Sequence, residues 1–306
     1  MAEKAPCMLC GTKKQEVVYP ADGGGELTVA DFTVTGSGIR KSEVSRCLDC
    51  GLYFASSRVP SRLYYADMVD VPYEQGKNSR RLEFEDALRF LQKTFSKAQK
   101  KIRFLDVGCL SGIFLECLRK NKDWSGQGIE PSRWGVDICR QKELEVTQGY
   151  FEDFKWNGPC FDVVTMFDCL EHSPSPKVMI QKAGAILEDG GMLLITTPNI
   201  ASLFHAIFRR RFWFIESMHL FYFSPKTIRK LLENCGFEVV KIKKHFKCLK
   251  VQYALLRLSI VFPVMGPLFR ALSRIPFFDK WNLKFYAGQM FVVARKRKEA
   301  ACPSPL

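Results

Sequence analysis

The chain reads as a doubly wound α/β protein with a small cysteine-built module at its N-terminus. Three features predict this: the stretch Ile102–Glu116, an alternation of β-favouring and helical segments after it, and two Cys-x-x-Cys-Gly turns before it. With 306 residues, 47% of them hydrophobic, the chain can bury one large core or two smaller ones.

Cys7-Met8-Leu9-Cys10-Gly11 and Cys47-Leu48-Asp49-Cys50-Gly51 come first. Each presents two thiolates from one tight turn, and the glycine lets the following amides point back at sulfur. Cys7, Cys10, Cys47 and Cys50 would close a tetrahedral site around a structural Zn²⁺, leaving no position for catalytic water. A module this small cannot bury enough apolar surface to fold alone, and zinc would add on the order of 10–16 kcal/mol. Gly23-Gly24-Gly25 and Gly36-Ser37-Gly38 suit the loops of a zinc ribbon, expected over 1–58. A thioredoxin-like redox pair is the alternative, but it explains only one of the turns. The chain has twelve cysteines at irregular spacings, which fits a reducing compartment and not a disulfide scaffold. No charged leader precedes an apolar run, so a cytoplasmic location is expected.

A linker and leading helix are expected over 59–100. Tyr64, Tyr65 and Tyr73 would cover a ligand pocket, and Leu82, Phe84, Leu88, Leu91 and Phe95 recur at roughly helical spacing. The β-favouring run after Ile102 reaches Asp106, turns between Gly108 and Gly112, and becomes amphipathic with Ile113, Phe114, Cys117 and Leu118. A strand, a glycine turn and a helix start make the ligand-binding corner of a doubly wound sheet. Leu110 stands where a dinucleotide fingerprint needs its middle glycine, and no Lys-Ser or Lys-Thr follows Gly112, so neither dinucleotide nor Walker phosphate binding is favoured. Glu130, ending the next apolar run, is placed to accept from a ribose diol.

Strands are expected at 103–107, 126–130, 144–148, 161–166 and 191–196, with helices between them, giving right-handed parallel crossovers. The last strands begin near Gly236 and Gln289.

Seven motifs in order carry a family resemblance from about Phe104 to Val240: Leu105–Cys109 with Gly112, Gly128–Ser132, Phe161–Val164, Leu170–His172, Leu187–Gly191, Thr197–Asn199, and His219–Ser224 with Cys235–Val239. The chain resembles the class I S-adenosylmethionine-dependent methyltransferases, near the ubiquinone-biosynthesis O-methyltransferases and deoxysugar C-methyltransferases. The resemblance implies a Rossmann-like, mostly parallel seven-stranded sheet, with the last two strands antiparallel, and a methyltransferase domain over 101–298 followed by a tail at 299–306. Relatives among the sugar C-methyltransferases also carry a zinc ribbon ahead of this core.

S-adenosyl-L-methionine is thus the expected cofactor, with Asp106, Gly108, Cys109, Gly112 and Glu130 around it. Phe151 and Glu152 suit an adenine that stacks and donates its amine, although both could merely cap the next element. Phe167 is the expected pocket wall, and Asp168 and Glu171 would open the following helix. His172, in a Leu-Glu-His that recurs in the family, either acts directly or orients the loop. His219 lies in a run similar to the His-Glu-His-Phe-Ser-Tyr-Phe-Ser of sugar C-methyltransferases, whose second histidine is a base; Met218 replaces the intervening Glu. A hydrogen-bonded core histidine is the other reading of His219. His205 and His245 are expected to be structural or surface residues.

Residues 246–288 read as an insertion between the last two strands. Tyr253, Leu256 and Ile260 share one helical face, and Lys250 and Arg257 another. From Lys241 to Lys298, fourteen Lys or Arg stand against one acid, Asp279, so nearly all of the chain's +14 resides here. The run is too short and too broken by prolines to span a bilayer. It suits either a helical lid over the substrate pocket or a helix lying on an anionic membrane surface, peripheral on the inner face. Both favour an apolar small-molecule acceptor of quinone, lipid or glycosyl type, methylated on O or C. The alternative is a zinc-ribbon RNA methyltransferase using the basic tail. It is disfavoured because Phe167–Glu171 lacks the Asn/Asp-Pro-Pro-aromatic turn of many base methyltransferases. A scaffold without catalysis is disfavoured by the intact Asp106, Gly108, Gly112 and Glu130.

Overall fold

Short alternating strands open the chain. In the computed structural model, which describes residues 6–21, 41–56, 62–275, 277 and 281–298, β1 (Gln15–Tyr19), β2 (Val44–Cys47) and β3 (Tyr53–Ala55) form an antiparallel meander flanked by the two cysteine turns. Gly23–Gly25 and Gly36–Gly38 lie outside the described residues.

Three helices follow: α1 (Arg62–Tyr65), α2 (Val71–Gln75) and α3 (Lys77–Thr94). Asp70 caps α2, accepting from the Tyr73 amide at 3.0 Å, with Pro72 in the first turn where it costs no hydrogen bond. The body comprises β4 (Ile102–Val107), α4 (Ile113–Leu118), β5 (Trp124–Glu130), α5 (Arg133–Gln141), β6 (Val146–Gln148), β7 (Phe161–Phe167), α6 (Pro176–Ile186), β8 (Leu187–Pro198), α7 (Leu203–Phe208), β9 (Phe221–Tyr222), α8 (Pro225–Asn234), β10 (Phe237–Lys250), α9 (Val251–Val261), α10 (Gly266–Ser273) and β11 (Asn282–Lys296).

Seven strands make one sheet in the order β10-β11-β8-β7-β4-β5-β6. Pairing is parallel from β8 to β6, while β11 runs antiparallel to both β8 and β10. The expected mixed, mostly parallel sheet is therefore the observed one. Its strands are apolar on both faces, as a doubly covered sheet requires. Leu105, Val164, Ile195 and Val292 pack with residues of α6 and α8, whereas Phe104, Val163, Leu194 and Phe291 pack with those of α3 and α4.

Several boundaries differ from the sequence expectation, β8 among them, beginning at Leu187 and not at 191. β10 and β11 continue deep into the expected insertion, pairing Phe246 with Tyr286 and Lys250 with Asn282, so only 251–281 lies between them. The extension carries Lys247 to Glu83 on α3 and to Asp168 just after β7. Helix α6 begins later than expected: Leu170–His172 is a single 3-10 turn, and Pro176 supplies the helix start.

Candidate active site

The turn after β4 carries left-handed backbone at Gly108 (φ 71°), Leu110 (φ 46°) and Gly112 (φ 73°). At Gly112 a Cβ would lie 2.3 Å from Leu144 Cδ1, so this glycine is required by packing of the α4 start. Gly108 instead lines a pocket, where a Cβ would come 3.0 Å from Cys169 Sγ. Leu110 shares that wall despite a backbone that disfavours a branched side chain. Its amide donates to Glu130 Oε2 at 2.8 Å, and the Ser132 amide donates to Oε1 at 2.8 Å. Glu130 thus ties the glycine turn to the end of β5, while each oxygen retains a lone pair for a further donor.

Burial pushes Glu130 up to about 7, against the pull of its two amide donors. Burial likewise pushes Asp106 up to about 7, opposed by the Thr165 hydroxyl, which donates to Oδ1 at 2.6 Å. Asp106 lies behind the pocket and not in its wall. Cys109 is also internal, its thiol against Gly128, where a Cβ would approach it to 2.5 Å. Asp106, Cys109 and Gly112 therefore shape the turn from behind, and Gly108, Leu110 and Glu130 face the cavity.

Phe151, Glu152 and Phe167 line the same pocket. Glu152 accepts from the Ser173 hydroxyl at 2.8 Å, and the Phe167 ring packs between Phe84 and Phe114, centroids 5.3 and 4.9 Å away. Helices α1 to α3 close the pocket with Tyr65, Met68, Tyr73, Arg80 and Phe84. Of the linker aromatics expected to cover it, Tyr65 and Tyr73 line the pocket and Tyr64 does not. No described residue of 246–288 lines the pocket, so the lid reading of that segment has no support in this geometry.

His172 stands in the wall, and His219 lies behind it, rings 4.7 Å apart. His172 Nδ1 is 2.8 Å from the Tyr65 hydroxyl and 3.1 Å from the Met218 carbonyl. Burial and the neighbouring His219 push His172 down to about 3, keeping it neutral at pH 7. His219 Nδ1 donates to the Phe214 carbonyl at 2.7 Å, which fixes its ring away from the cavity wall. Burial, with the charge of Asp168, pushes Glu171 up to about 8.

A buried charge cluster at the pocket floor was not foreseen. Asp168, at φ 50°, accepts from Thr196 Oγ1 at 2.8 Å, Gln289 Nε2 at 3.0 Å and Lys247 Nζ at 2.5 Å. Lys247 also meets Glu83 Oε2 at 3.3 Å, and Glu83 Oε1 accepts the Cys248 amide at 3.0 Å. Although burial disfavours ionisation, Lys247 and the nearby His245 hold Asp168 well below the usual carboxylate range. His245 borders this cluster and the pocket, pushed down to about 4 mainly by burial. The available signal is the alternation of Lys243, His245 and Lys247, which marks one face of a strand that runs past Phe246 into the expected insertion.

At the N-terminus the four cysteines converge. Cys7 and Cys50 sulfurs are 3.6 Å apart, Cys10 and Cys47 3.5 Å, and all four lie within 4.8 Å of one another. Zn–S bonds of about 2.3 Å in a tetrahedron give sulfur separations near 3.8 Å, so the donor set fits zinc. Gly11 and Gly51 both take φ 77°, and the Cys50 amide points at Cys47 Sγ at 3.5 Å, as the turn chemistry requires.

Residues 79–242 match the family described as a methyltransferase domain. A ubiquinone biosynthesis O-methyltransferase of Actinobacillus pleuropneumoniae is 33% identical over 108 residues, covering 32% of this chain and 46% of that protein. One of Coxiella burnetii is 28% identical over 118 residues, covering 37% and 49%. The chain thus spans about half the length of these curated relatives. Among solved structures, an S-adenosylmethionine-dependent methyltransferase of Archaeoglobus fulgidus superposes with TM-score 0.50 at 22% identity, covering 74% of this chain and all of that one. A protein assigned as a methyltransferase, in complex with the Trm112 methyltransferase activator of Haloferax volcanii, gives 0.52 at 15% identity, covering 79% of this chain and all of that one. These superpositions establish the shared fold.

Proposed function

The chain belongs to the methyltransferase-domain family, and from that premise we propose that it transfers the methyl group of S-adenosylmethionine to an apolar small-molecule acceptor. One observation carries the reading: Gly108, Glu130, Phe151, Phe167 and His172 all face one pocket. When bound, S-adenosylmethionine supplies an electrophilic sulfonium methyl group.

In this reading the free lone pairs of Glu130 accept from the ribose hydroxyls. Phe151 and Glu152 flank the base, and Gly108 lets the ligand approach the backbone. Arg80, stacked on Tyr73 with its guanidinium carbon 4.7 Å from the ring centroid and paired with Glu83 at 3.4 Å, is with Arg62 one of two arginines in the pocket wall that could meet a carboxylate. Phe84, Phe167, Met68 and Met218 give an apolar wall for the acceptor. The names of the curated relatives point the same way, to a quinone-like molecule. A neutral His172 held by Tyr65 is a hydrogen-bonding and orienting group. With its imidazole pushed down to about 3 it is a weak base, so the reaction relies chiefly on in-line positioning. His219 acts one layer back, fixing His172. The pair of cysteine turns holds a structural Zn²⁺, which would tie β1 to β3 together.

The test uses methyl-tritiated S-adenosylmethionine with the protein and a solvent extract of bacterial lipids. Label should move into the organic phase. Label recovered in added RNA, or in neither fraction despite cofactor binding, would overturn the acceptor class.

A further inference from the structure

Helices α9 and α10 lie between β10 and β11. They pack closely, and a Cβ on Gly266 would sit 2.8 Å from the Ser259 carbonyl oxygen. Their junction presents apolar side chains to solvent. Val264 is 96% exposed, and Phe262, Met265 and Leu268 are 41%, 48% and 52% exposed. A second apolar set stands beside it: α7 exposes Leu203 and Ile207, and its Phe208 ring meets Phe262 at 6.3 Å, edge to face.

Cations surround these side chains. Arg209 and Arg211 follow α7, and Arg270 and Arg274 lie on or just after α10, all exposed. Among the described residues no carboxylate forms an ion pair with any of the four. An exposed apolar cluster bordered by unpaired cations marks an interaction surface of definite charge preference.

We propose that the α9–α10 tip and α7 form a docking surface for an anionic lipid bilayer. Phe262, Val264, Met265 and Leu268 enter the acyl boundary, and the arginines meet the headgroup phosphates. Helix α9 has 11 residues, about 16 Å of helix, against a hydrocarbon core of about 30 Å, so it lies in the interface and does not cross it. Among the described residues no helix is long and apolar enough to cross a membrane. Val264, Met265 and Leu268, three of the four tip side chains, have no flat ring and fit acyl chains better than nucleobases, which need stacking partners. A second copy of the chain would bring these arginines against one another across a twofold axis. The inference deepens the reading of an apolar acceptor, since a bilayer is where such a molecule resides.

Flotation of the full chain with vesicles tests this. Vesicles containing phosphatidylglycerol should carry the protein at low salt. Recovery should fall roughly fivefold or more with phosphatidylcholine alone, or at about 0.5 M salt, where screening is nearly complete. Val264→Asp with Leu268→Asp, and separately Arg270→Glu with Arg274→Glu, should each reduce recovery to a similar degree. Both pairs sit on exposed positions, and unchanged S-adenosylmethionine affinity by calorimetry would show that they fold. Absence of flotation with phosphatidylglycerol vesicles, variants that float like the parent, or RNA binding or dimerisation lost in the variants without flotation would each overturn the proposal. Flotation needs no methyl transfer, so a chain that floats but does not bind S-adenosylmethionine sinks only the enzymatic reading.

Discussion

Phe54, in the cysteine module, is the antiparallel partner of Phe221, in the methyltransferase body. The module's sheet is completed by β9, giving the order β1-β2-β3-β9. The connection continues inward: the Ala55 amide donates to Leu220 O at 2.9 Å, and the Leu220 amide donates to Glu171 O at 2.9 Å. β3, which follows the second cysteine turn, is thus two backbone hydrogen bonds from Glu171, the residue beside His172, and His219 precedes Leu220. The N-terminal module and the site are joined by strand pairing and a continuous hydrogen-bonded path.

If zinc organises the module, its loss should be felt at the site. Elemental analysis should find one zinc per chain. Cys47→Ser should lower the zinc content, lower the melting temperature, and shift the imidazole NMR signals of His172 and His219. Unshifted imidazole signals in a zinc-free variant would break the link between module and site. Full zinc occupancy in a Cys7/Cys47 double variant would remove the metal assignment itself.

Glu130 should make cofactor binding pH-dependent. In the proposed binding mode its ionised form would accept from both ribose hydroxyls, and burial pushes it up to about 7. Affinity for S-adenosylmethionine should therefore rise from pH 6 to pH 8, with proton release on binding near pH 7. Glu130→Gln should lower affinity at least about tenfold, since charge-assisted bonds are worth roughly 1.5–3 kcal/mol each, and should flatten the profile. Calorimetry that finds the same pH dependence in this variant would rule out Glu130 as the titrating acceptor.

The stability of the free protein should fall above pH 6.5. Asp106 and Glu130 titrate near 7 and Glu171 near 8, above their unfolded values, so the native state holds more of these protons than the unfolded chain. Stability is then lost as pH rises through the folded values. Below about 6.5, histidines lowered by burial (His172, His205, His245) act in the opposite direction, because the unfolded chain protonates them first. The decline should appear between pH 6.5 and 8 in thermal melts, and a melting temperature still rising across that window would contradict it.

Lys247→Met should destabilise the fold by about 3–5 kcal/mol, because it leaves Asp168 buried without its cation and Glu83 with Arg80 alone. Denaturant unfolding measures this directly. A loss below about 1 kcal/mol would show that the cluster is hydrated and rearranges.

Much of this was legible in the sequence because it rests on local pattern. The glycine turn, Glu130 at the end of its strand and the βαβ alternation each follow from residue spacing, and both cysteine turns are contiguous motifs. What escaped was set by long-range pairing. Lys247 lies in a segment rich in Phe and Leu, and only its registry opposite Phe285 on β11 places it beneath Asp168. The pairing of Phe54 with Phe221 spans the chain and has no local signature. Cys109 sits in the turn motif, yet points inward because Gly128 leaves space behind it. The position of His219 behind His172 likewise depends on β9 docking, not on the motif around it.

The central claim is that this pocket binds S-adenosylmethionine through the Gly108 turn and Glu130. Isothermal titration of the full chain with S-adenosylmethionine and with S-adenosylhomocysteine tests it most directly. The account predicts saturable binding of both at one site per chain, weakened at least about tenfold in Glu130→Ala. No binding of either ligand by the folded protein, or equal affinity in Glu130→Ala, would contradict it.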